Sequence, residues 1–472
     1  MKDKDDIALM AHLMRRAGFG APLAELEERV AKGYEATVEE LLNPEQQPEN
    51  PHDVLQRYFV DWEEASSQAT AQHYWLYLMV NTSRPLEEKI TLFWHGIFCV
   101  GDAKCMHGKQ IWLQLEKFRA KGLGSFASLL GDLAHDPAML YFLDNHMSHK
   151  TALNENWGRE LLELFSMGVG MDGHPNYTED DVKACARAFT GWTVGNAIPR
   201  YPYGRYENYF FYNPEDHDDG DKTFLGETGP WDGTDVIEII CRKPATARFV
   251  ARHLYSFFVA DEPPVPSWQD TPPRDPDTIQ QLEDEYFRSG YEIRSMLRVL
   301  FNSDAFKKAQ FQRVKSPAEV VAGTLRLVRD FTSPKPGLAP IAQAIQYMGM
   351  SLLNPPTVEG WHTGVEWIDS GALVERVNFV ADQVGNTDLP GVQDIVNRLG
   401  AQKPQSSEEF VDGLLELVGP VRVSDDTRQI LVEEASRDGE IRNTTSEEHQ
   451  LFTQRVGGML QLIAAAPEYQ FN

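Results

Sequence analysis

Cysteine is scarce: Cys99, Cys105, Cys185 and Cys241 are the whole supply in 472 residues, and no Cys-x-x-Cys pair occurs. Four scattered thiols cannot build a disulfide framework, so reduced thiols are the expectation. Positive charge is also in deficit. Lysine and arginine total 44 against 71 aspartates and glutamates, a net charge of −27. A phosphate backbone or an anionic membrane surface would meet repulsion, which argues against nucleic acid and membranes as partners. No segment offers the roughly 18 uninterrupted apolar residues of a membrane span. At the N-terminus, Arg15 and Arg16 interrupt the apolar pattern before a signal-peptide core forms, so a cytoplasmic address is expected. There is no Walker loop, no His-Glu-x-x-His and no Gly-x-Ser-x-Gly, which removes the commonest signatures of nucleotide, zinc-protease and serine-hydrolase chemistry.

What remains is a folding composition, 42% hydrophobic and 24% charged, which is globular rather than disordered. Length alone suggests roughly three units of about 150 residues, with one fused helical body equally admissible. Apolar residues recur at helical spacing from Ile7 to Met14 and again at Leu23, Leu26 and Val30. Further helices are expected at 67–81, 85–100, 107–120, 125–135 and 155–168, with Pro85 in a first turn and Thr178 with Asp181 as a capping box. Residues 192–231 differ, because tyrosine and phenylalanine crowd 201–212 between glycines and aspartates. One small β-hairpin or long ordered loop is expected there. Helical periodicity resumes at 234–260, 277–303, 317–331 and 339–350, and acidic amphipathic helices fill 390–472. The fold class is therefore mainly α, an irregular multi-helix body, with a possible sub-boundary in the Pro-rich loop 261–276.

Several motifs dissolve in context. Gly168-Val169-Gly170-Met171-Asp172-Gly173 spells a dinucleotide fingerprint, but a helix rather than a strand precedes it, so it reads as a helix end and turn. His95, Cys99, Cys105 and His107 have the residue types of a zinc site without its spacing. His135-Asp136 runs into Pro137 and reads as a turn with Asp136 as a cap, whereas His217-Asp218 stays open as a divalent-metal pair.

The feature that survives is the segment Asn154 to Ser166. Asn154 stands where an N-cap belongs, and Glu155 stands where the helix dipole favours an anion. At about 100° per residue, Glu155, Asn156, Arg159, Glu160, Glu163 and Ser166 share one arc of roughly 140°. Trp157, Leu161, Leu162, Leu164 and Phe165 take the other side. Such an arc is a solvated face with ordinary i,i+4 pairs, a buried network holding helices together, or the wall of a cleft with acid/base groups or hard-cation ligands.

The same residues carry a resemblance. The block from Asn154-Glu155-Asn156 to Gly168, followed by Tyr177-Thr178-Glu179-Asp180-Asp181-Val182 and Ala188-Phe189-Thr190-Gly191-Trp192, resembles the central signature of a bacterial family called domain of unknown function 1800. Arg15-Arg16-Ala17-Gly18-Phe19-Gly20, Phe93-Trp94-His95, His217-Asp218-Asp219-Gly220 with Lys222, Pro244-Ala245-Thr246 and the stretch Pro355-Pro356 to Gly360-Trp361 are similar to its other blocks. The likeness spans nearly the whole chain and implies one extended domain over 1–472. Two family histidines are replaced, by Ile97 and Lys243. The resemblance also implies a shared pathway with sulfatase-like proteins, which are often encoded beside family members.

Two expectations follow. The first is a hydrolase, with metal assistance as one route, acting on a polar or anionic substrate in an inter-helix cleft. Glu155, Arg159, Glu160, Glu163 and His217 would be catalytic, and Asn154, Asn156 and Lys222 would bind the ligand. His95, His217 and Asp218 would be the ligands of a divalent metal. The second is a non-catalytic binding or maturation partner of a neighbouring sulfatase-like protein, using the aromatic 201–212 stretch as its contact surface.

Overall fold

The computed structural model describes residues 4–49, 57, 68–105, 108–171, 173–195, 209–400, 406–437 and 439–472. Helices dominate it, and local chemistry starts most of them. Proline occupies the first turn of the Pro85–Ile97, Pro137–Phe142, Pro244–Phe258, Pro276–Arg288 and Pro317–Val328 helices, where its missing N–H is not needed. Thr178 and Asp181 form the expected capping box. Asp136 caps its helix as expected, its side chain accepting from the N–H groups of Ala138 and Met139.

The Pro317–Val328 helix packs against Gln68–Asn81, Leu338–Tyr347, Ser370–Gly385 and Pro390–Gly400. Through Ser370–Gly385 it reaches Ser446–Ala465, which gathers the acidic helices Ser407–Leu417 and Asp425–Arg437. One continuous apolar cluster runs from Ile7 to Tyr469. None of the described helices is long and apolar enough to cross a membrane.

Among the described residues the β-structure is three antiparallel two-stranded ribbons, where the sequence pattern predicts one small hairpin or long ordered loop around 192–231. Trp192–Gly195 pairs with Tyr209–Tyr212, and Lys222–Phe224 pairs with Glu227–Gly229. The third ribbon, Gly170–Met171 with His174–Pro175, occupies the false dinucleotide motif. The expected 155–168 helix is shorter, Asn156–Glu163. Gly168, at φ +73°, lets its own N–H and that of Met167 turn back to the Leu162 carbonyl, closing the helix before the apolar pattern ends.

Candidate functional site

The Asn156–Glu163 helix buries Trp157, Gly158, Leu161 and Leu162. A Cβ on Gly158 would lie 3.0 Å from the Val182 carbonyl oxygen and 3.2 Å from the Ala186 nitrogen, so glycine is what allows the helix to sit so close to Glu179–Ala188. Trp157 fills the adjoining space, its ring 5.6 Å from that of Phe189. This packing leaves Glu155, Arg159, Glu160 and Glu163 half-buried and Asn156 exposed, whereas Ser166, beyond the helix end, is buried and donates to the Leu161 carbonyl. Asn154 acts one residue earlier than an N-cap, its Oδ1 accepting the Asn156 N–H at 3.0 Å, while Glu155 occupies the boundary position.

The arc divides into two parts. Arg159 turns toward the surface and grips Glu179 with two 2.8 Å hydrogen bonds, with Glu155 at 3.6 Å. Its side chain is 36% exposed and that of Glu179 67%, so the pair is solvent-screened and adds little to stability. Glu163 accepts a 3.1 Å hydrogen bond from the Tyr177 hydroxyl. Glu160 lies between them and is half-buried. Burial, reinforced by the neighbouring charges of Glu163 and Glu359, pushes its carboxyl up to about 7, with Arg159 opposing.

Glu359 connects this helix to a cleft of about 460 Å³. One turn beyond Glu160, Leu164 lines the same space. Phe93 and Phe257 form one wall, with rings 5.2 Å apart and edge-to-face, and Trp268, Trp361 and Trp367 contribute further aromatic surface. Two proline-rich loops enclose it. The 261–276 loop folds back, placing Trp268 4.3 Å under the Arg252 guanidinium, and the loop after Pro355-Pro356 brings Glu359, Trp361, His362 and Glu366. Carboxylates recur among the polar groups, with Asp261, Glu262, Glu359 and Glu366 all on the lining. His362 contacts Glu366 at 2.6 Å, and Arg313 reaches the cleft beside Phe257. His253 is pushed down to about 3 by burial and by the Arg252 charge, and its Nε2 has no hydrogen-bond partner among the described residues.

The loop bearing Glu359 and Trp361 rests directly on the Pro85–Ile97 helix. Gly360 has φ +97°, and a Cβ there would stand 2.5 Å from the Gly96 carbonyl oxygen and 3.3 Å from Cys99 Sγ. Gly360→Ala should therefore cost about 2–3 kcal/mol through backbone strain, read as a lower urea midpoint. A change below about 0.5 kcal/mol would show that the loop relaxes freely.

The other sequence-derived candidates lie elsewhere. His95 is fully buried behind Trp361, edge-to-face with Trp75 at 5.7 Å and with Trp361 at 5.2 Å. Neither ring nitrogen has a hydrogen-bond partner among the described residues, and burial pushes the imidazole down to about 3. His217 contacts the Thr190 carbonyl through Nδ1 at 2.8 Å, and Asp218 pairs with Arg187 at 2.7 and 3.1 Å. Lys222 spends its ammonium on the carbonyls of Asp218 and Gly220. The His217 loop is thus tied to the end of the Glu179–Ala188 helix, and its partners Arg187, Thr190 and Tyr212 do not line the cleft. Among the described residues no three His, Cys, Asp or Glu side chains are placed to hold a metal ion. His107 and the 201–208 part of the aromatic stretch lie outside the described residues.

Sequence reasoning thus singled out Glu160 but missed Glu359, His253 and Trp367. The Pro-Pro to Gly-Trp block around Glu359 was a usable signal, since paired prolines and a glycine mark a structured loop.

No curated protein and no solved structure matches this chain. The family described as Protein of unknown function (DUF1800) matches residues 12–471, which take in every residue lining the cleft. The chain belongs to that family.

Proposed function

We propose that the cleft is a hydrolase site in which Glu160 is the proton donor. The observation that carries this reading is a half-buried carboxyl pushed up to about 7 by burial and by the charges of two further carboxylates, one helical turn from Leu164, which with Glu359 lines a large aromatic-walled cleft. A carboxyl tuned near neutrality holds a proton to give to a leaving oxygen, while a second carboxylate, Glu359 or Glu163, takes one from the attacking water. Aromatic faces suit a substrate with both apolar and hydroxylated surface, such as a sugar ring. Arg159, Asn154 and Asn156 stand at the outer end of the same helix, where they meet the polar remainder of a substrate. Acid/base hydrolysis by paired carboxylates is favoured over a metal-assisted route because carboxylates are what cluster at the cleft.

The test is a screen of chromogenic glycosides and of carboxylate, phosphate and sulfate esters with the wild type and Glu160→Gln. Hydrolysis is expected to fall as pH rises through about 7, where Glu160 loses its proton. The variant should lose roughly 10²–10⁴-fold in kcat. It should also be more stable than wild type above neutral pH, because it removes a carboxylate whose burial disfavours its charge. A fully active Glu160→Gln, or a screen with no turnover, overturns the reading.

A second reading rests on the ribbon Tyr209–Tyr212, where Tyr209 is 57% and Phe211 46% exposed. Large exposed aromatics are what a protein partner anchors on, and a sulfatase-like neighbour is the partner proposed. Pull-down with the products of adjacent genes tests it. Retention lost in Tyr209→Ser/Phe211→Ser supports it, and no retained partner counts against it.

A further inference from the structure

Composition makes this protein strongly acidic, yet one part of its interior gathers the opposite charge. Arg15, Arg16, Lys89, Arg313, Lys315 and Arg376 converge there, Arg15 and Lys315 half-buried and the other four buried, and among the described residues the carboxylates that act most strongly on them are Glu319 and Asp261. Glu319 is largely spent, since it pairs with Lys89 and accepts from Arg313 at 2.8 and 3.0 Å. The remaining cations are held by neutral groups. Arg16 donates to Asn472 Oδ1 and the Val259 carbonyl, and Arg376 to Gln470 Oε1 and the carbonyls of Lys315 and Trp367. Among the described residues the Lys315 amine donates to the Tyr469 carbonyl alone, at 2.6 Å, with the Tyr469 ring beneath it at 4.1 Å.

Carbonyl oxygens satisfy hydrogen bonds but do not neutralise charge, and uncompensated buried cations are costly. Two observations locate the missing counter-charge. Arg15 donates from Nη1 to the Gly419 carbonyl, while its buried Nε and Nη2 have no partner among the described residues. A cavity of about 70 Å³ opens beside it, lined also by Lys315, Thr324, Tyr469 and Glu319, whose charge is engaged by Lys89 and Arg313. One water needs about 10–15 Å³ on that scale, so the space takes several waters or one four-oxygen anion.

We propose that this cavity binds a small oxyanion, a sulfate, a phosphate or a compact carboxylate, held by the guanidinium of Arg15 and the ammonium of Lys315. Arginine's planar fork presents two parallel donors to such an anion, and the lysine adds a point charge. The cavity is bounded by the Lys4–Arg16 helix, the Pro317–Val328 helix, the 418–421 turn and the last residues before Asn472. A bound anion therefore ties the Lys4–Arg16 helix to residues 469–472, and its affinity appears as stability. Burial and the charges of Arg15 and Arg376 push Lys315 down to about 7, with Glu319 opposing. Binding should strengthen as pH falls from 8 to 6, because the ammonium form then prevails.

The experiment is a series of thermal melts and calorimetric titrations of the full chain with sulfate, phosphate, acetate and chloride at matched ionic strength. A saturable, single-site rise in Tm with at least one oxyanion, absent with chloride, is expected. Arg15→Gln should weaken that binding at least tenfold. Should Arg15→Gln fail to fold, Lys315→Gln serves instead and should abolish the difference between pH 6 and pH 8. Equal effects of all four anions, or wild-type affinity in the variants, overturns the proposal. Because Glu160 takes no part, the outcome is independent of any hydrolase activity.

Discussion

Glu319→Ala is expected to destabilise the protein by about 3–5 kcal/mol, the cost of removing one partner from a buried ion pair. That is a large share of a typical folding free energy of about 5–15 kcal/mol. Glu319 is buried and does three jobs at once. It pairs with the fully buried Lys89, it accepts two hydrogen bonds from Arg313, and it receives the Ser316 N–H at 2.6 Å as the return arm of that helix's capping box. Alanine would strand two cations and open the helix start, and loss of a cap alone costs about 1 kcal/mol. Lys89 would keep the Arg15 and Gly18 carbonyls and the Phe19 ring, which limits the damage without supplying a negative charge. The surrounding cations hold the Glu319 carboxyl well below the usual carboxylate range. Its contribution is therefore complete above the ordinary carboxylate value of about 4.5 and is lost only as pH falls through the depressed one. Urea denaturation at pH 7 measures the effect, with Glu39→Ala, which breaks the exposed pair with Arg298, as the surface comparison, expected to cost under about 1 kcal/mol. Comparable losses in the two variants would mean that the core network tolerates an unpaired charge.

What could be read beforehand was local. The capping box at Thr178 and Asp181, the cap at Asp136 and the first-turn proline at Pro85 are decided within four residues, so the sequence displays them directly. The buried face Trp157, Leu161 and Leu162 follows from helical period alone. Partnerships across the chain do not. Arg159 had glutamates at i−4 and i+4, yet its two short bonds go to Glu179 on the next helix, and only the close approach at Gly158 makes that geometry available. Glu160 was legible as a carboxylate on a polar arc. Its proximity to Glu359 depends on how the Pro355–Trp361 loop lies over the Pro85–Ile97 helix, which periodicity does not encode. The same limit hid the cationic core. Arg16 and Lys89 count as surface residues in any compositional reading, and nothing near them in sequence announces that Glu319 and Arg313 will enclose them. Lys222 shows the converse: a loop lysine that looked free for a ligand is consumed by its own loop's carbonyls.

His95→Phe should gain stability relative to wild type by about 2 kcal/mol between pH 7.5 and pH 5, since each unit of pKa difference traversed is worth about 1.4 kcal/mol. His95 is fully buried, its neighbours Trp75, Trp361 and Cys99 carry no charge, and burial alone pushes it down to about 3. In the unfolded chain the same imidazole takes its proton near 6.5. Between those limits the unfolded state binds the extra proton, so stability falls as pH falls, and full stability is present only above about 6.5. His253, also pushed to about 3, and His12, pushed well down by burial and by Arg16 and Arg15, act in the same direction. Glu160 and Glu87, both raised to about 7, oppose them between pH 7 and about 4.5, because the folded chain then takes up their protons first. The wild-type profile is therefore flat near neutrality and steepens below about pH 5. The difference between His95→Phe and wild type isolates a single proton from that balance. Phenylalanine forfeits no hydrogen bond at this position and keeps edge-to-face contact with both tryptophans, so little loss is expected at pH 7.5. Denaturant titrations of both proteins at the two pH values decide it. A difference that does not change with pH would mean that His95 is charged in the folded protein, and the aromatic box behind the cleft would then have to contain a counter-charge.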